Sequence, residues 1–223
     1  MRLRLAALVS LLPLGLAADS TVPVSRAVPV DRWEADMCWF DKLDHDRPAK
    51  PGGVVFVGSS SIRMWDLARS FPGCKPLNRG FGGSHLADSV RHVDRLVLRH
   101  RPRTVVLYAG DNDIAAGKTP DEVVKDFEAF VAAVREELPE TKIVYVGIKP
   151  SLARWELAEP MRAANAGVKA VCERTERCEF VDVWPAMLGD DGKPRKELFV
   201  FDGLHMSPAG YAIWNDLVGP HVE

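Results

Sequence analysis

The 223-residue chain is poor in the features that most quickly betray a function. It has only four cysteines, none spaced as a C-x-x-C pair, so no zinc-site pattern can be read from them. Neither sign of charge dominates: 29 Lys and Arg stand against 31 Asp and Glu, a formal net charge of −2, and the basic residues are scattered among acids. Nucleic acid is therefore excluded as an expected partner. Beyond residue 30 there is no linker, repeat or low-complexity tract to mark a second domain. With 47% hydrophobic and 27% charged residues, a chain of this length reads as one globular domain large enough to bury a real core.

The one extended apolar run lies at the start, where MRLR precedes LAALVSLLPLGLA. A basic head, a short apolar stretch and small residues at its end read as a secretory signal peptide over residues 1–18, cleaved near Ala17 or Ala18. The mature protein is then a single domain over residues 19–223, secreted or periplasmic, with a formal charge of about −4 once Arg2 and Arg4 are gone. The run is too short for a transmembrane helix, and no cysteine stands at the cleavage point to accept a lipid, so no stable membrane span is expected after cleavage. Export would carry Cys38, Cys74, Cys172 and Cys178 into an oxidising compartment. Pairing of Cys172 with Cys178, which flank only ERTER, and of Cys38 with Cys74 is favoured there, with four reduced thiols as the alternative.

Apolar runs at 54–57, 75–78, 105–108, 143–146 and 180–183 are short and bounded by Gly, Pro or charges, and they read as five strands. Helical patterns lie between them. Leu86, Val90, Val93 and Val97 share one helix face, and Pro102 ends that segment. Thr119-Pro120-Asp121-Glu122 combines an N-cap, a first-turn proline and a reciprocal acid, ahead of Val123, Phe127, Val131, Val134 and Leu138. Asp31 to Glu34 gives a similar start to a helix whose apolar face is Trp33, Met37 and Phe40; further helices are expected over 156–173 and after Ser207-Pro208, the last with Tyr211, Trp214 and Val218 inward. Strands alternating with helices imply a three-layer α/β/α domain around a parallel sheet. Ligands of such sheets collect at the carboxyl ends of the strands.

Four loops belong to that rim. Gly58-Ser59-Ser60-Ser61 follows the first strand, NRGFGGS (78–84) the second and AGDND (109–113) the third, while FDGLHMSPAG (201–210) precedes the last helix. Together they supply a hydroxyl, glycine backbone, an amide and an Asp-x-x-His pair, the parts needed for acyl transfer. Serine is a weak nucleophile at neutral pH and needs an adjacent base, which His205 can provide. Asp202, three residues earlier, can fix the imidazole in one tautomer. The serine N–H, Gly83 N–H and the Asn112 amide are the candidate donors to a developing oxyanion.

The four blocks, in this order and spacing, resemble the SGNH or GDSL hydrolases over the chain from about Val54 onward. The likeness is greatest to compact bacterial esterases and platelet-activating-factor acetylhydrolase-like members. The resemblance assigns Ser60 as nucleophile, Gly83 and Asn112 as oxyanion donors, and Asp202 and His205 as the remaining triad. It implies a five-stranded flavodoxin-like parallel sandwich, hydrolysis of esters or thioesters, and no metal cofactor. Ser59 stands where the family usually has Asp in its first block, which leaves three neighbouring serines to choose among. Asp111 is also unusual, since an acid beside an oxyanion hole is unhelpful unless it points away.

Other residues carry plainer readings. His85, Asp88 and His92 read as a solvated helix face before a metal cluster. His45, His100 and His221 read as surface residues, Asn165 as a buried hydrogen-bonding residue, and Trp39, Trp65, Trp184 and Trp214 as core or boundary aromatics. Lys149, Arg154 and Trp155, in IKPSLARW (148–155), are candidates to line the mouth of the cleft. The expected activity is a serine esterase acting on small-acyl, acetylated carbohydrate, lysophospholipid or aryl esters. Acyl transfer by the same residues, or a non-catalytic module holding glycan or phosphate in the Gly-Ser loop, is the alternative.

Overall fold

The short strand-forming runs pair as a single parallel sheet in a computed structural model, which describes residues 31–222. Strands β1 (Val54–Gly58), β2 (Leu77–Gly80), β3 (Thr104–Tyr108), β4 (Lys142–Val146) and β5 (Cys178–Val181) lie in the order β2-β1-β3-β4-β5, each neighbouring pair parallel. The helices are α1 (Glu34–Asp46), α2 (Ser60–Arg63), α3 (Leu67–Ser70), α4 (Leu86–Arg91), α5 (Val93–Leu96), α6 (Asp111–Ala115), α7 (Pro120–Glu137), α8 (Ala158–Glu173) and α9 (Pro208–Val222).

Side chains alternate across a strand, and this alternation builds both outer layers. Val55, Val57, Val105, Leu107, Ile143 and Tyr145 join Met37 of α1, Leu86 of α4, Phe127 and Phe130 of α7 and Val168 of α8 on one face. Val54, Phe56, Val106, Tyr108, Val144 and Val146 join Ile62 of α2, Leu67 of α3 and Trp214 and Val218 of α9 on the other. Each fully buried side chain of this kind contributes about 1.5–3 kcal/mol. The sandwich is the fold expected from the alternation, and α7 begins as the sequence dictates. Thr119 Oγ1 accepts from Glu122 N at 3.3 Å, while the Glu122 carboxylate accepts from Thr119 N at 2.8 Å.

Several boundaries shift for local reasons. β2 begins at Leu77, not at residue 75, because Lys75 has φ +46° and cannot lie in a strand. β5 begins at Cys178 and stops at Val181: Arg177 turns with φ +54° and its successor pairs with Ile143. α1 begins at Glu34, with Trp33 at its cap. The continuous helix expected over 86–97 is broken at His92 (φ −105°, ψ 16°) into α4 and α5. The break turns His92 inward, edge-on to Phe81, so it is not on a solvated face. His100 is likewise buried, 3.5 Å from the Asp44 carboxylate that also pairs with Arg79. Trp39, expected in the core or at its boundary, is 56% exposed.

All four cysteines are free thiols. The Sγ atoms of Cys172 and Cys178 lie 3.3 Å apart. The favoured partner for Cys74 is not beside it: Cys38 is exposed on α1 and hydrogen-bonds Glu34 at 3.2 Å. The apolar run expected to be a signal peptide falls outside the described residues. Among those described, no helix is long and apolar enough to cross a membrane.

Candidate active site

Strand β1 delivers its chain directly into the site. Gly58, at its end, has φ +140°, and a side chain there would place Cβ 1.9 Å from Tyr108 O. Only glycine permits that approach, and it lets Ser59 N donate to the same carbonyl at 3.1 Å, extending the β1–β3 register by one residue. The chain then turns into α2, with Ser60 as its first residue. Ser59 and Ser61 are buried at 0% and 2% exposure, and Ser60 alone of the three is partly open. The structure thereby separates three serines that the sequence left adjacent. Asn78 Nδ2 donates to Ile62 O at 2.7 Å and Tyr211 Oη to Ser61 O at 2.9 Å, clamping the helix that carries Ser60. The sequence pattern turns Tyr211 inward and leaves a polar Asn inside an otherwise strand-like NRG, but it names neither bond.

His205 reaches this position from 145 residues away. The hairpin between Phe199 and Met206, closed by Val200 N donating to His205 O at 2.9 Å, presents the ring at the rim. His205 Nε2 lies 3.0 Å from Ser60 Oγ, and His205 Nδ1 lies 2.6 Å from Asp202 Oδ2. The other carboxylate oxygen of Asp202 accepts from Leu204 N and His205 N, each at 2.9 Å. Burial pushes the Asp202 pKa up, but the bonds from the His205 ring and the two N–H groups outweigh it and hold it at about 2. A charged carboxylate therefore faces Nδ1, leaving Nε2 to accept a proton from Ser60 Oγ. The side chains of His205 and Asp202 are 25% and 33% exposed, so water reaches the row.

The oxyanion candidates Gly83 and Asn112 follow β2 and β3, at the carboxyl edge of the sheet where β1 delivers Ser60. Gly83 sits in the turn after β2 with φ +83°, a left-handed conformation that suits glycine. Among the described residues, neither Ser60 N–H nor Gly83 N–H donates to a protein acceptor. Asn112, in the first turn of α6, donates Nδ2 to Ser84 O at 3.1 Å. Tyr145 Oη holds the preceding Ala109 O at 2.6 Å. The Asp111 carboxylate is buried: it lies 3.4 Å from Lys149 Nζ and 3.2 Å from Arg154 Nη1, and accepts from Asn112 N at 3.0 Å. Burial favours its neutral form, but Lys149 and Arg154 overcome this and hold its pKa below the ordinary value.

The three candidates for the cleft mouth lie deeper than expected. Lys149 is 1% exposed and donates to Tyr108 Oη at 3.0 Å, so it offers no surface to a substrate. Burial lowers its pKa, opposed by Asp111. Arg154 donates to Asn112 Oδ1 at 3.0 Å. Trp155 is half-buried against Trp184, centroids 6.3 Å apart. The residues exposed on that loop are instead Leu152 and Ala153, and Ala153 N donates to Gly203 O at 3.0 Å. Phe201, which precedes Asp202 in the chain, is fully exposed. A cavity of about 860 Å³ lies at the opposite end of β1, lined by Gly52, Gly53, Lys75 and His100, away from Ser60. His85 and Asp88 serve the start of α4, where Asp88 Oδ2 accepts from His85 N at 2.8 Å.

Residues 58–213, from the glycine before the three serines into α9, match the GDSL-like Lipase/Acylhydrolase family. The chain belongs to this family. This GDSL hydrolase is 31% identical over 203 residues to platelet-activating factor acetylhydrolase IB subunit alpha1 of Bos taurus, covering 85% of this chain and 84% of that one. Among solved structures, a GDSL-like lipase from Bacteroides thetaiotaomicron superposes with a TM-score of 0.71 at 19% identity, over 83% of this chain and 98% of its own. A catalytic mutant of Axe2, an acetylxylan esterase from Geobacillus stearothermophilus, superposes with a TM-score of 0.64 at 16% identity, over 78% and 95%. These structural likenesses speak for the fold, and family membership makes the protein an ester-hydrolysing enzyme.

Proposed function

We propose that this GDSL hydrolase cleaves carboxylic esters of short acyl groups by a two-step mechanism through an acyl-enzyme on Ser60. The observation that carries the reading is the connected row Ser60 Oγ, His205 and Asp202, at 3.0 and 2.6 Å. His205 takes the Ser60 proton as Oγ attacks the carbonyl carbon, then passes it to the leaving alcohol. It next takes a proton from water, which attacks the acyl-enzyme and frees the acid and Ser60. Asp202 keeps the ring in the required tautomer and balances the imidazolium that forms. Ser60 N–H, Gly83 N–H and Asn112 Nδ2 receive the oxyanion.

Acetyl is the acyl group best supported, because the 31% identical relative is named an acetylhydrolase. The accessible triad supports water as the acceptor. Acetylated carbohydrate, lysophospholipid and aryl esters are the candidate substrates. The N-terminal run directs export, with cleavage near Ala17 or Ala18 and a single mature domain from Asp19, which N-terminal sequencing of the exported protein would check.

A fluorophosphonate probe tests the nucleophile. Label should map to Ser60 and disappear in Ser60→Ala, while nitrophenyl acetate should be turned over faster than long-chain esters. Ser60→Ala should lower kcat by about 10⁴-fold or more. Labelling at another serine, or retained turnover in Ser60→Ala, would refute the assignment.

A further inference from the structure

Asn112 can serve an oxyanion only if its amide is turned the right way round, and the groups about it leave one choice. Ser84 O can only accept, so the atom 3.1 Å from it is Nδ2. Arg154 can only donate, so the atom 3.0 Å from its Nη2 is Oδ1. One Nδ2 hydrogen is thereby engaged, and the other meets no acceptor among the described residues. Arg154 is itself held from behind, its Nη1 lying 3.2 Å from Asp111 Oδ2. Asp111 is in turn anchored by Lys149 Nζ at 3.4 Å, and its other oxygen accepts from Asn112 N at 3.0 Å. The side chains of Lys149 and Asp111 are 1% and 7% exposed.

From this closed arrangement we infer that Arg154 is a positioning residue that acts through Asn112: it holds the acceptor end of the amide away from the developing oxyanion and polarises the remaining N–H toward it. The inference rests on the proposed role of Ser60 and Asn112. It also gives Asp111 a use. The acid that would repel an oxyanion if it faced the site is turned inward, where it fixes the guanidinium. A guanidinium suits this task better than an ammonium, because its planar fork meets Asp111 and Asn112 with separate nitrogens.

A kinetic cycle on a soluble nitrophenyl ester tests it, using Arg154→Ala, Asn112→Ala and the double variant in the full chain. Arg154→Ala is expected to lower kcat about 10- to 100-fold with KM changed less than about threefold, since its contact is made to the enzyme and felt in the transition state. In the Asn112→Ala background the same change should cost no more than about threefold, because the two act as one unit. Guanidinium at low millimolar concentration should restore part of the loss in Arg154→Ala and none in the double variant. If Arg154→Ala is unstable, Arg154→Lys takes its place in the cycle, with a smaller fall in kcat that again vanishes when Asn112 is gone. Equal losses in both backgrounds, or a raised KM at unchanged kcat, would overturn the inference. Ser60→Ala keeps the two levels apart: retained turnover there refutes the proposed site, whereas an inactive Ser60→Ala beside independent Arg154 and Asn112 losses refutes only the role of Arg154.

Discussion

Asn165 holds both main-chain polar groups of Ile148. Its Oδ1 accepts from Ile148 N at 2.7 Å and its Nδ2 donates to Ile148 O at 2.8 Å. Ile148 lies just beyond β4, where the sheet can no longer pair its backbone, and it opens the loop that carries Lys149 and Arg154. A buried residue of α8 thus substitutes for a missing strand. Asn165→Ala would leave a donor and an acceptor unpaired, and each such buried group costs about 1–3 kcal/mol. The variant should therefore unfold at lower urea, by about 2–4 kcal/mol in extrapolated stability. A loss below about 1 kcal/mol would mean that water or a shifted loop replaces the amide.

The parts of this fold that were legible are those in which one residue type admits few conformations. Thr119 and Pro120 set the start of α7, and the β-branched runs set β1, β3 and β4, because their constraints are local. The Ser60, Asp202 and His205 blocks were legible through their order along the chain, and their convergence required only that all lie on one rim. What could not be read depends on distant partners. Nothing within IKPSLARW tells that Lys149 turns under the sheet edge toward Tyr108 and Asp111, since a lysine in a loop usually faces water. Nor does the pattern of Leu86, Val90, Val93 and Val97 reveal the break at His92, because both halves keep an inward face after it.

Asp202 should govern the height of the pH profile more than its acid edge. Its pKa in the folded protein, about 2, lies below the ordinary 3.8. The stabilisation from its ionised form is therefore present above the ordinary value and is lost as pH falls through about 2. Between pH 4 and 9 the carboxylate stays charged, and any fall in kcat/KM inside that window belongs to another group. Asp202→Asn removes the charge opposite Nδ1 and should lower kcat about 10³- to 10⁴-fold across the window. An Asn variant retaining more than a tenth of wild-type turnover would show that the carboxylate is dispensable.

Cys172 and Cys178 are poised to oxidise together. Their Sγ atoms lie 3.3 Å apart, and the contact with Cys172 lowers the Cys178 pKa; burial opposes this and Arg135 reinforces it. The same contact, with burial, pushes the Cys172 thiol up. A small inward movement would bring the sulfurs to bonding distance. Mild oxidant should remove two hydrogens from this pair, seen by mass spectrometry as a loss of about 2 Da in the peptide spanning both residues, and leave Cys38 and Cys74 unlinked. Closing so short a loop should stabilise the fold by about 2 kcal/mol, absent in Cys172→Ser. Oxidation linking Cys38 to Cys74 would contradict the exposed placement of Cys38 on α1.

Gly58 joins the stability of the sheet to the position of Ser60, and its replacement should damage both. A methyl group there would lie 1.9 Å from Tyr108 O, a backbone atom of the central strand β3, on a residue already at φ +140°. Relief requires β1 and β3 to separate, which breaks the 3.1 Å bond from Ser59 N and carries Ser60 away from His205. Gly58→Ala should cost more than about 3 kcal/mol, and the folded fraction should label with fluorophosphonate far more slowly than wild type. Gly73→Ala is the matched control: no atom lies within 4 Å of its added Cβ and its φ is not positive, so stability should change by less than about 0.5 kcal/mol with labelling intact. If the two alanine variants melted together, the close packing of Gly58 against Tyr108 would not be what fixes the serine. If Gly58→Ala lost stability but labelled normally, the turn into α2 would be held by the Asn78 and Tyr211 clamps alone.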